Sequence, residues 1–365
     1  MSENAKPNFT RLLLEWNETQ NHRPLPWKGI KNPYFIWLSE IILQQTRVEQ
    51  GKPYYLKFTE KYPTVIHLAN APEDEVMKMW EGLGYYSRAR NLHAAAKYVA
   101  DELNGVFPTT YDEIKKLKGV GDYTAAAIAS FAYNLPHAVV DGNVYRVLSR
   151  YFGIETPIDS TEGKKQFAQL AQELLHTKQA NTYNQAIMDF GARHCTPAKP
   201  LCLFCNMQAK CVAFQTGNTA KLPIKNKKIK KRTRYFYYLV IEHNKEILVA
   251  KRTEKDIWQD LYEFFLIEET KQLSDVALKK KVGETISTDF TIETISEEYK
   301  QLLTHQKILS KFVYLKINDT KGLHFQESFN FVSKQILKTL AFPKSLNNFI
   351  NGESQIFEIT QQAKQ

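Results

Sequence analysis

The sequence predicts an α-helical N-terminal domain followed by a smaller α+β domain, and three observations carry that expectation. Segments such as 34–48 and 122–132 are apolar with helical spacing. From Tyr235 onward the apolar residues fall into strand-like runs, 235–242 and 246–251, joined through His243-Asn244-Lys245. Between the two regimes, residues 221–234 contain eight Lys or Arg. A chain of 365 residues is long enough for more than one hydrophobic core. The expected division is a helical domain at 1–218, a solvent-exposed basic linker at 219–234, an α+β domain at 235–350 and a C-terminal tail at 351–365.

The formal net charge of +10 favours a polyanionic partner. No apolar run approaches the roughly 18 residues of a membrane span, and Met1 to Thr10 lacks the apolar core of a signal peptide. An intracellular protein without a membrane partner is therefore expected.

The helical part is organised around 117–143. Leu117-Lys118-Gly119-Val120-Gly121-Asp122-Tyr123-Thr124 reads as a tight hairpin between helices, because glycine tolerates backbone angles that a Cβ forbids. Unpaired N–H groups at the start of the second helix suit a phosphate. A small-residue helix leads through Pro136 to Val139-Val140-Asp141-Gly142-Asn143, and a further helix is expected over 144–151, capped by Asp141 or Asn143. A carboxylate capping a helix should keep a low pKa. Upstream, Asn32-Pro33 opens a helix in which Glu40 is the only acid of an apolar segment. Burial there would disfavour its charged form and make it a proton donor near neutral pH. Glu40 protonated and Asp141 ionised would be two carboxylates pushed apart in pKa.

Other stretches suit nucleic acid. Gln44, Gln45, Thr46 and Arg47 end the Glu40 helix in groups fit for base edges and phosphates. Gly82-Leu83-Gly84-Tyr85-Tyr86-Ser87-Arg88-Ala89-Arg90 joins turn glycines to aromatics and cations, as stacking on DNA or insertion into it would use. Asn21-His22-Arg23-Pro24-Leu25-Pro26-Trp27, from its residues alone, is a proline-set loop in which Trp27 plugs a core edge. The four cysteines stand as Cys195-x6-Cys202-x2-Cys205-x5-Cys211. Their close spacing in an intracellular chain argues against disulfides. It favours tetrahedral thiolate binding of zinc or of a four-iron four-sulfur cluster, in a structural role.

Taken together, Trp37-Leu38-Ser39-Glu40-Ile41-Ile42-Leu43-Gln44-Gln45-Thr46-Arg47-Val48, Gly82-Leu83-Gly84-Tyr85-Tyr86, the Gly119–Thr124 hairpin, Val140-Asp141-Gly142-Asn143 and the cysteines resemble the adenine DNA glycosylases of the MutY type. These belong to the helix-hairpin-helix superfamily that includes endonuclease III. The resemblance implies two helical lobes flanking an active cleft, and a four-iron four-sulfur cluster on Cys195, Cys202, Cys205 and Cys211 rather than zinc. It implies a monomeric cytoplasmic, nucleoid-associated enzyme that removes adenine mispaired with 8-oxoguanine or guanine in double-stranded DNA. In that pattern Glu40 protonates N7 of the flipped adenine. Asp141 stabilises the sugar cation electrostatically or captures it, Tyr123 lies beside the sugar, and Asn143 orients the acid and water. Arg23, Leu25 and Trp27 match the adenine pocket, and this displaces the packed-loop reading. Gln45 and Tyr85 match residues that wedge into the stack opposite the flipped base, and Gly119, Val120 and Gly121 match the hairpin on the DNA backbone. Relatives that also cut the backbone carry a Schiff-base lysine where this chain has Tyr123, and a phenol cannot form that imine. A monofunctional glycosylase is expected.

In the C-terminal domain further strands are expected near 262–267 and 308–317, with helices near 274–283 and 329–341. Trp258 and Leu261-Tyr262-Glu263-Phe264 resemble the Nudix-like domain of the same family, which reads 8-oxoguanine. The G-x5-E-x7-R-E-x2-E-E carboxylates of a pyrophosphohydrolase are absent, so a reader rather than a second enzyme is implied. Leu303-Thr304-His305 matches the family's Phe-Ser-His loop. Thr304 and His305 retain polar readout, whereas Leu303 cannot stack as an aromatic ring would. Two other classes compete: a non-catalytic iron-sulfur DNA-binding protein, disfavoured by the paired Glu40 and Asp141, and a pyrimidine-specific glycosylase and lyase, disfavoured by Tyr123.

Overall fold

The structure, a computed structural model, describes residues 5–226, 231–321 and 328–357. Chain contacts divide it into two units, Met1–Ala71 with Asn91–Lys228, and Pro72–Arg90 with Ile229–Gln365. The helices in chain order are α1 (Ala5–Gln20), α2 (Pro33–Leu43), α3 (Val48–Lys61), α4 (Val65–Asn70), α5 (Glu73–Met79), α6 (Ser87–Asp101), α7 (Tyr111–Lys116), α8 (Asp122–Tyr133), α9 (Gly142–Phe152), α10 (Thr161–Leu174), α11 (Ala180–Arg193) and α12 (Val212–Gln215).

In the first unit α2 is the central element. The Asn32 side chain accepts from the Tyr34 N–H, Pro33 fills the first turn, and Tyr34, Ile36 to Ile42 are buried on nearly every side of the helix. A helix apolar all round belongs in a core, so its single acid is carried inside with it. A core cluster of the unit joins Phe9, Leu13 and Trp16 of α1 to Val144, Val147 and Leu148 of α9 and Ile187 and Phe190 of α11. The expected hairpin joins α7 to α8. Gly119 lies at φ +82°, and a Cβ there would stand 2.8 Å from Asn91 Cβ, so only glycine lets the turn close.

The second unit is an α+β fold, with β1 (Arg232–His243), β2 (Glu246–Lys251), β3 (Tyr262–Glu263), β4 (Phe265–Glu269), α13 (Asp275–Thr285), β5 (Phe290–Ile295), β6 (Tyr299–Leu302), β7 (Gln306–Ile317), β8 (Phe329–Ser333), α14 (Lys334–Leu337), α15 (Lys344–Gly352) and α16 (Ser354–Phe357). The sheet centres on a parallel pair, β1 with β7, in register from Arg232↔Gln306 to Glu242↔Lys316. Antiparallel strands flank it: β2 and β4 on β1, β5 and β6 on β7, and β3 and β8 on β2. The β1–β2 turn is Asn244-Lys245, at φ 49° and 67°, the positive angles that match a two-residue hairpin to strand twist. Being central, β1 is buried on both faces. Tyr237, Leu239 and Ile241 meet Leu278, Val282 and Ile286, while Tyr238 stacks on Phe312, which in turn stacks on Phe349 at 4.0 Å.

Three expectations need correction. Residues 329–341 do not form a helix: Phe329-Asn330-Phe331-Val332-Ser333 alternates with period two, pairs with β2, and only then gives way to the short α14. The stretch 219–234 is solvated only in part: its described basic residues are mostly exposed, but both ends are tied into the fold. Leu222 is buried, its carbonyl accepts from Arg150 Nε (3.1 Å), and the Ile224 carbonyl accepts from the Ile158 N–H (3.0 Å). At its other end Arg234 is buried in β1, paired with Asp256 and Glu268. The middle of that stretch, 227–230, lies outside the described residues, as does 358–365 of the expected tail. The rest of the tail packs, with Phe357 stacked near Phe264 at 6.3 Å. Lastly, Pro72–Arg90 groups with the second unit although it lies within the span expected of the helical domain. Polar ties explain this. Asp74 accepts from Lys251 Nζ (2.7 Å) and Tyr262 Oη (3.0 Å), Lys78 Nζ donates to the Leu340 carbonyl (2.8 Å), and Glu81 accepts from the Phe342 N–H (2.9 Å).

Candidate active site

Within the first unit, α2, α8 and the start of α9 bring Glu40, Tyr123 and Asp141 into mutual electrostatic contact. Glu40 is buried at the wall of a cavity of about 190 Å³, whose lining includes Trp27, Lys28, Ser39, Phe131, Asn181 and Gln185. Desolvation pushes the Glu40 pKa up to about 7; the hydrogen bond from Tyr123 opposes the rise and the nearby Asp141 carboxylate adds to it. Tyr123 is itself held protonated, well above the usual tyrosine range, by burial and by the charges of Glu40 and Asp141.

Asp141 is the N-cap of α9. One oxygen accepts from the Asn143 and Val144 N–H groups (2.9 and 2.8 Å), and the other accepts from Asn143 Nδ2 (2.7 Å). Capping was expected to hold its pKa low. Burial instead raises it above the usual carboxylate range, opposed by those three hydrogen bonds and by Arg146. The contrast between the two acids is thus one of solvation: three donors and a cation meet Asp141, whereas the wholly enclosed Glu40 meets one phenol. Asn143 is held in turn by Arg146, which donates to Asn143 Oδ1 (2.9 Å) and to the carbonyls of Gly191 (2.6 Å) and Cys195 (2.8 Å). At Gly191 a Cβ would stand 2.7 Å from Asn143 Cβ, so glycine is what lets α11 approach this closely.

The remaining residues expected at the adenine pocket divide. Trp27 lines the cavity, but Arg23 turns to Asp189 (2.9 Å), and Leu25 is half-buried with its carbonyl accepting from the Lys28 N–H (3.0 Å). Gln45, just beyond α2, is exposed at φ 54°. A long side chain in the left-handed region is uncommon and costs backbone energy. In the second unit Tyr85 has the same character, exposed at φ 48°. Its hydroxyl hydrogen-bonds Thr304 Oγ1, and Arg88 lies over its ring at 5.6 Å. Thr304 and His305 sit in the turn between β6 and β7, closed by the Leu303 N–H donating to the Gln306 carbonyl (2.8 Å), with His305 exposed.

Cys195, Cys202, Cys205 and Cys211 all line one cavity walled by Val147, Tyr151, Phe190 and Met207. Burial raises the Cys202 and Cys211 thiols and pushes Cys205 up to about 12, so positive charge is needed to make them thiolates. Among the described residues no three side chains of metal-ligating type converge as the ligands of one ion. Four thiols around one apolar cavity are a donor set that would suit zinc or an iron-sulfur cluster. Arg150 fastens the loop, donating to Cys195 Sγ (3.4 Å) and to the carbonyls of Thr196 and Pro197.

Comparison with known proteins agrees with this architecture. Residues 38–176 match the family described as HhH-GPD superfamily base excision DNA repair protein, and residues 236–352 match the NUDIX domain. An adenine DNA glycosylase of Buchnera aphidicola subsp. Baizongia pistaciae is 34% identical over 85% of this chain and 86% of its own. The chain belongs to the adenine DNA glycosylase family. The glycosylase also resembles two solved structures. One is a thermostable thymine-DNA glycosylase, at 31% identity and a TM-score of 0.54, covering 58% of this chain and 97% of that one. The other is an endonuclease III trapped on DNA, at 22% identity and a TM-score of 0.51, covering 58% and 98%, a likeness of fold. Among the described residues no helix is long and apolar enough to cross a membrane.

Sequence reasoning passed over three residues that the glycosylase builds into this region: Asp189, Arg146 and Lys28. Asp189 carried the signal used for Glu40, being the only acid of its helical segment, 180–193. Arg146 and Lys28 had none, since cations are common in a basic chain.

Proposed function

We propose that this adenine DNA glycosylase removes adenine paired with 8-oxoguanine or guanine by hydrolysis, without cutting the backbone. The Glu40–Tyr123–Asp141 grouping carries this reading. A carboxyl with a pKa of about 7 is half protonated at neutral pH and faces a cavity on the scale of one base. Glu40 delivers its proton to N7 of the extruded adenine, and the electron pair of the C1′–N9 bond leaves with the base. Asp141 faces the positive charge that develops on the sugar. Water then adds to C1′ and its proton passes to a carboxylate. The phenol Tyr123, where an imine-forming lysine would stand, supports the monofunctional reading. The cluster held by the four cysteines would supply a rigid cross-link of the loop 195–211, and no step of the chemistry runs through it.

The opposite base is read by the second unit. Supporting this are the exposed turn with Thr304 and His305 and the strained Tyr85 bonded to Thr304. Single-turnover base release is measured on adenine:8-oxoguanine, adenine:guanine and oxidised-pyrimidine duplexes, with borohydride added in a parallel set. Adenine release on the first two and no trapped adduct are expected. Release of an oxidised pyrimidine, or an efficient covalent adduct, overturns the reading.

A further inference from the structure

Asp189 lies on α11 with its side chain fully buried. Its carboxylate collects four donors from two elements. Oδ2 accepts from Asn21 Nδ2 (2.9 Å), Lys28 Nζ (3.2 Å) and Gln185 Nε2 (3.1 Å), and Oδ1 accepts from Arg23 Nη1 (2.9 Å). Asn21 Nδ2 also reaches Asn17 Oδ1 (2.8 Å). Three of the residues tied in this way, Asn17, Lys28 and Gln185, line the cavity into which Glu40 faces. Asp189 itself does not line it. A buried carboxylate is tolerable only when its charge is met, and here two cations and two amides meet it. These partners also hold Asp189 below the usual carboxylate range against its burial.

We infer that Asp189 is the positioning residue of the base cavity: it clamps the loop 21–28 onto α11, so that Lys28 and Gln185 present fixed donors to the base that Glu40 protonates. This rests on the proposed function of the cavity. Loop side chains are mobile by default, and a misplacement on the order of 1 Å near reacting groups is worth about a hundredfold in rate. Four charge-assisted bonds to one buried anchor remove that freedom. The same anchor sets the local field. The charged and titratable groups around the cavity are Tyr123 from α8, Asp141 at the start of α9, and Lys28 and Lys31 from the loop, with Arg23 and Asp189 behind them. Without Asp189 its two cations are left unneutralised, and one of them, Lys28, lines the cavity together with Glu40.

The test is single-turnover adenine release by full-length Asp189→Asn, Lys28→Met, the double variant and Glu40→Gln, each across a pH series. An asparagine removes the negative charge and cannot accept at both of its polar atoms, whereas Arg23 and Lys28 can only donate, so the clamp loosens while the shape is kept. Expected for Asp189→Asn is a loss of about tenfold to hundredfold, with duplex binding retained and the descending limb of the pH–rate profile moved to lower pH. Lys28→Met should lose rate too, and the double variant should be no slower than the slower single one, because the two act through one contact. An Asp189→Asn rate within twofold of wild type overturns the inference. So does an unmoved pH profile, or losses that multiply in the double variant. Should Asp189→Asn not fold, Gln185→Leu and Lys28→Met decide, and wild-type rates in both overturn it. Glu40→Gln separates the two levels: activity surviving there breaks the proposed mechanism, whereas a dead Glu40→Gln beside a wild-type Asp189→Asn breaks only the role of Asp189.

Discussion

The cavity of the first unit and the β6–β7 turn of the second hold their residues by opposite means. Glu40 is buried and Tyr123 half-buried, and their protonation is set by what surrounds them. Tyr85 and His305 are exposed, and Tyr85 is aimed by a left-handed backbone and by its bond to Thr304. Proton transfer requires a low-dielectric site that shifts pKa values, whereas recognition of a partner from outside requires surface. Enclosure also has a cost in stability that exposure does not.

The largest expected effect separates the two regions most sharply. Glu40→Gln keeps the shape and removes the proton, so adenine release should fall by roughly 10²- to 10⁴-fold while duplex affinity holds. In the wild type the rate should decline as pH rises through about 7, since the acid must be protonated to act. Turnover within tenfold of wild type would move the acid elsewhere. Next in size, Asp141→Asn should cost on the order of 10²- to 10³-fold in release. Asparagine caps a helix as well as aspartate does, so the melting temperature should barely move; a matched loss of stability would reduce Asp141 to a cap.

A third effect is thermodynamic. The folded pKa of Glu40, about 7, lies above the ordinary glutamate value of 4.5, so between those pH values the folded state binds the extra proton. Stability contributed by this residue is therefore present below pH 4.5 and lost as pH rises to about 7, a change on the order of 3 kcal/mol. Glu40→Gln should remove that slope and be more stable than wild type at pH 8. Denaturant titrations at pH 5 and pH 8 measure it, and parallel slopes in the two proteins contradict the burial argument. The smallest effect belongs to the exposed region. Thr304→Ala with His305→Ala should leave adenine release intact and weaken preference for 8-oxoguanine over guanine by about 1–3 kcal/mol. An unchanged ratio of rates on the two duplexes would place the reading in the first unit. Point variants serve better than truncation at residue 222. Such a cut would strip Leu222 and Ile224 from the first unit and remove the partners of Asp74, Lys78 and Glu81.

Much of the site was legible because its signals are local. A single acid in an apolar helix, a Gly-x-Gly turn and an Asp at a helix start need only neighbours in sequence to be read, and Glu40, Gly119 and Asp141 lie where they were expected. The strands β5 and β6 were missed although their burial alternates, because β6 is only four residues long and the register of β5 shifts between Ile292 and Thr294; β8 was taken for a helix because its pairing with β2 is remote in sequence.

By itself, then, the sequence determined the two fold classes, most of the element types, the family, the two carboxylates and the four thiols, all of which follow from residue type and spacing. Tertiary structure alone decided which charges are paid for by neighbours distant in the chain. It raised Asp141 through burial that its cap did not offset, buried Arg234 out of an apparently solvated basic run, and bound Arg23 to Asp189 rather than leaving it at the cavity. It also grouped Pro72–Arg90 with the second unit. Desolvation and ion pairing depend on what folding brings within a few ångströms, and no local pattern records that.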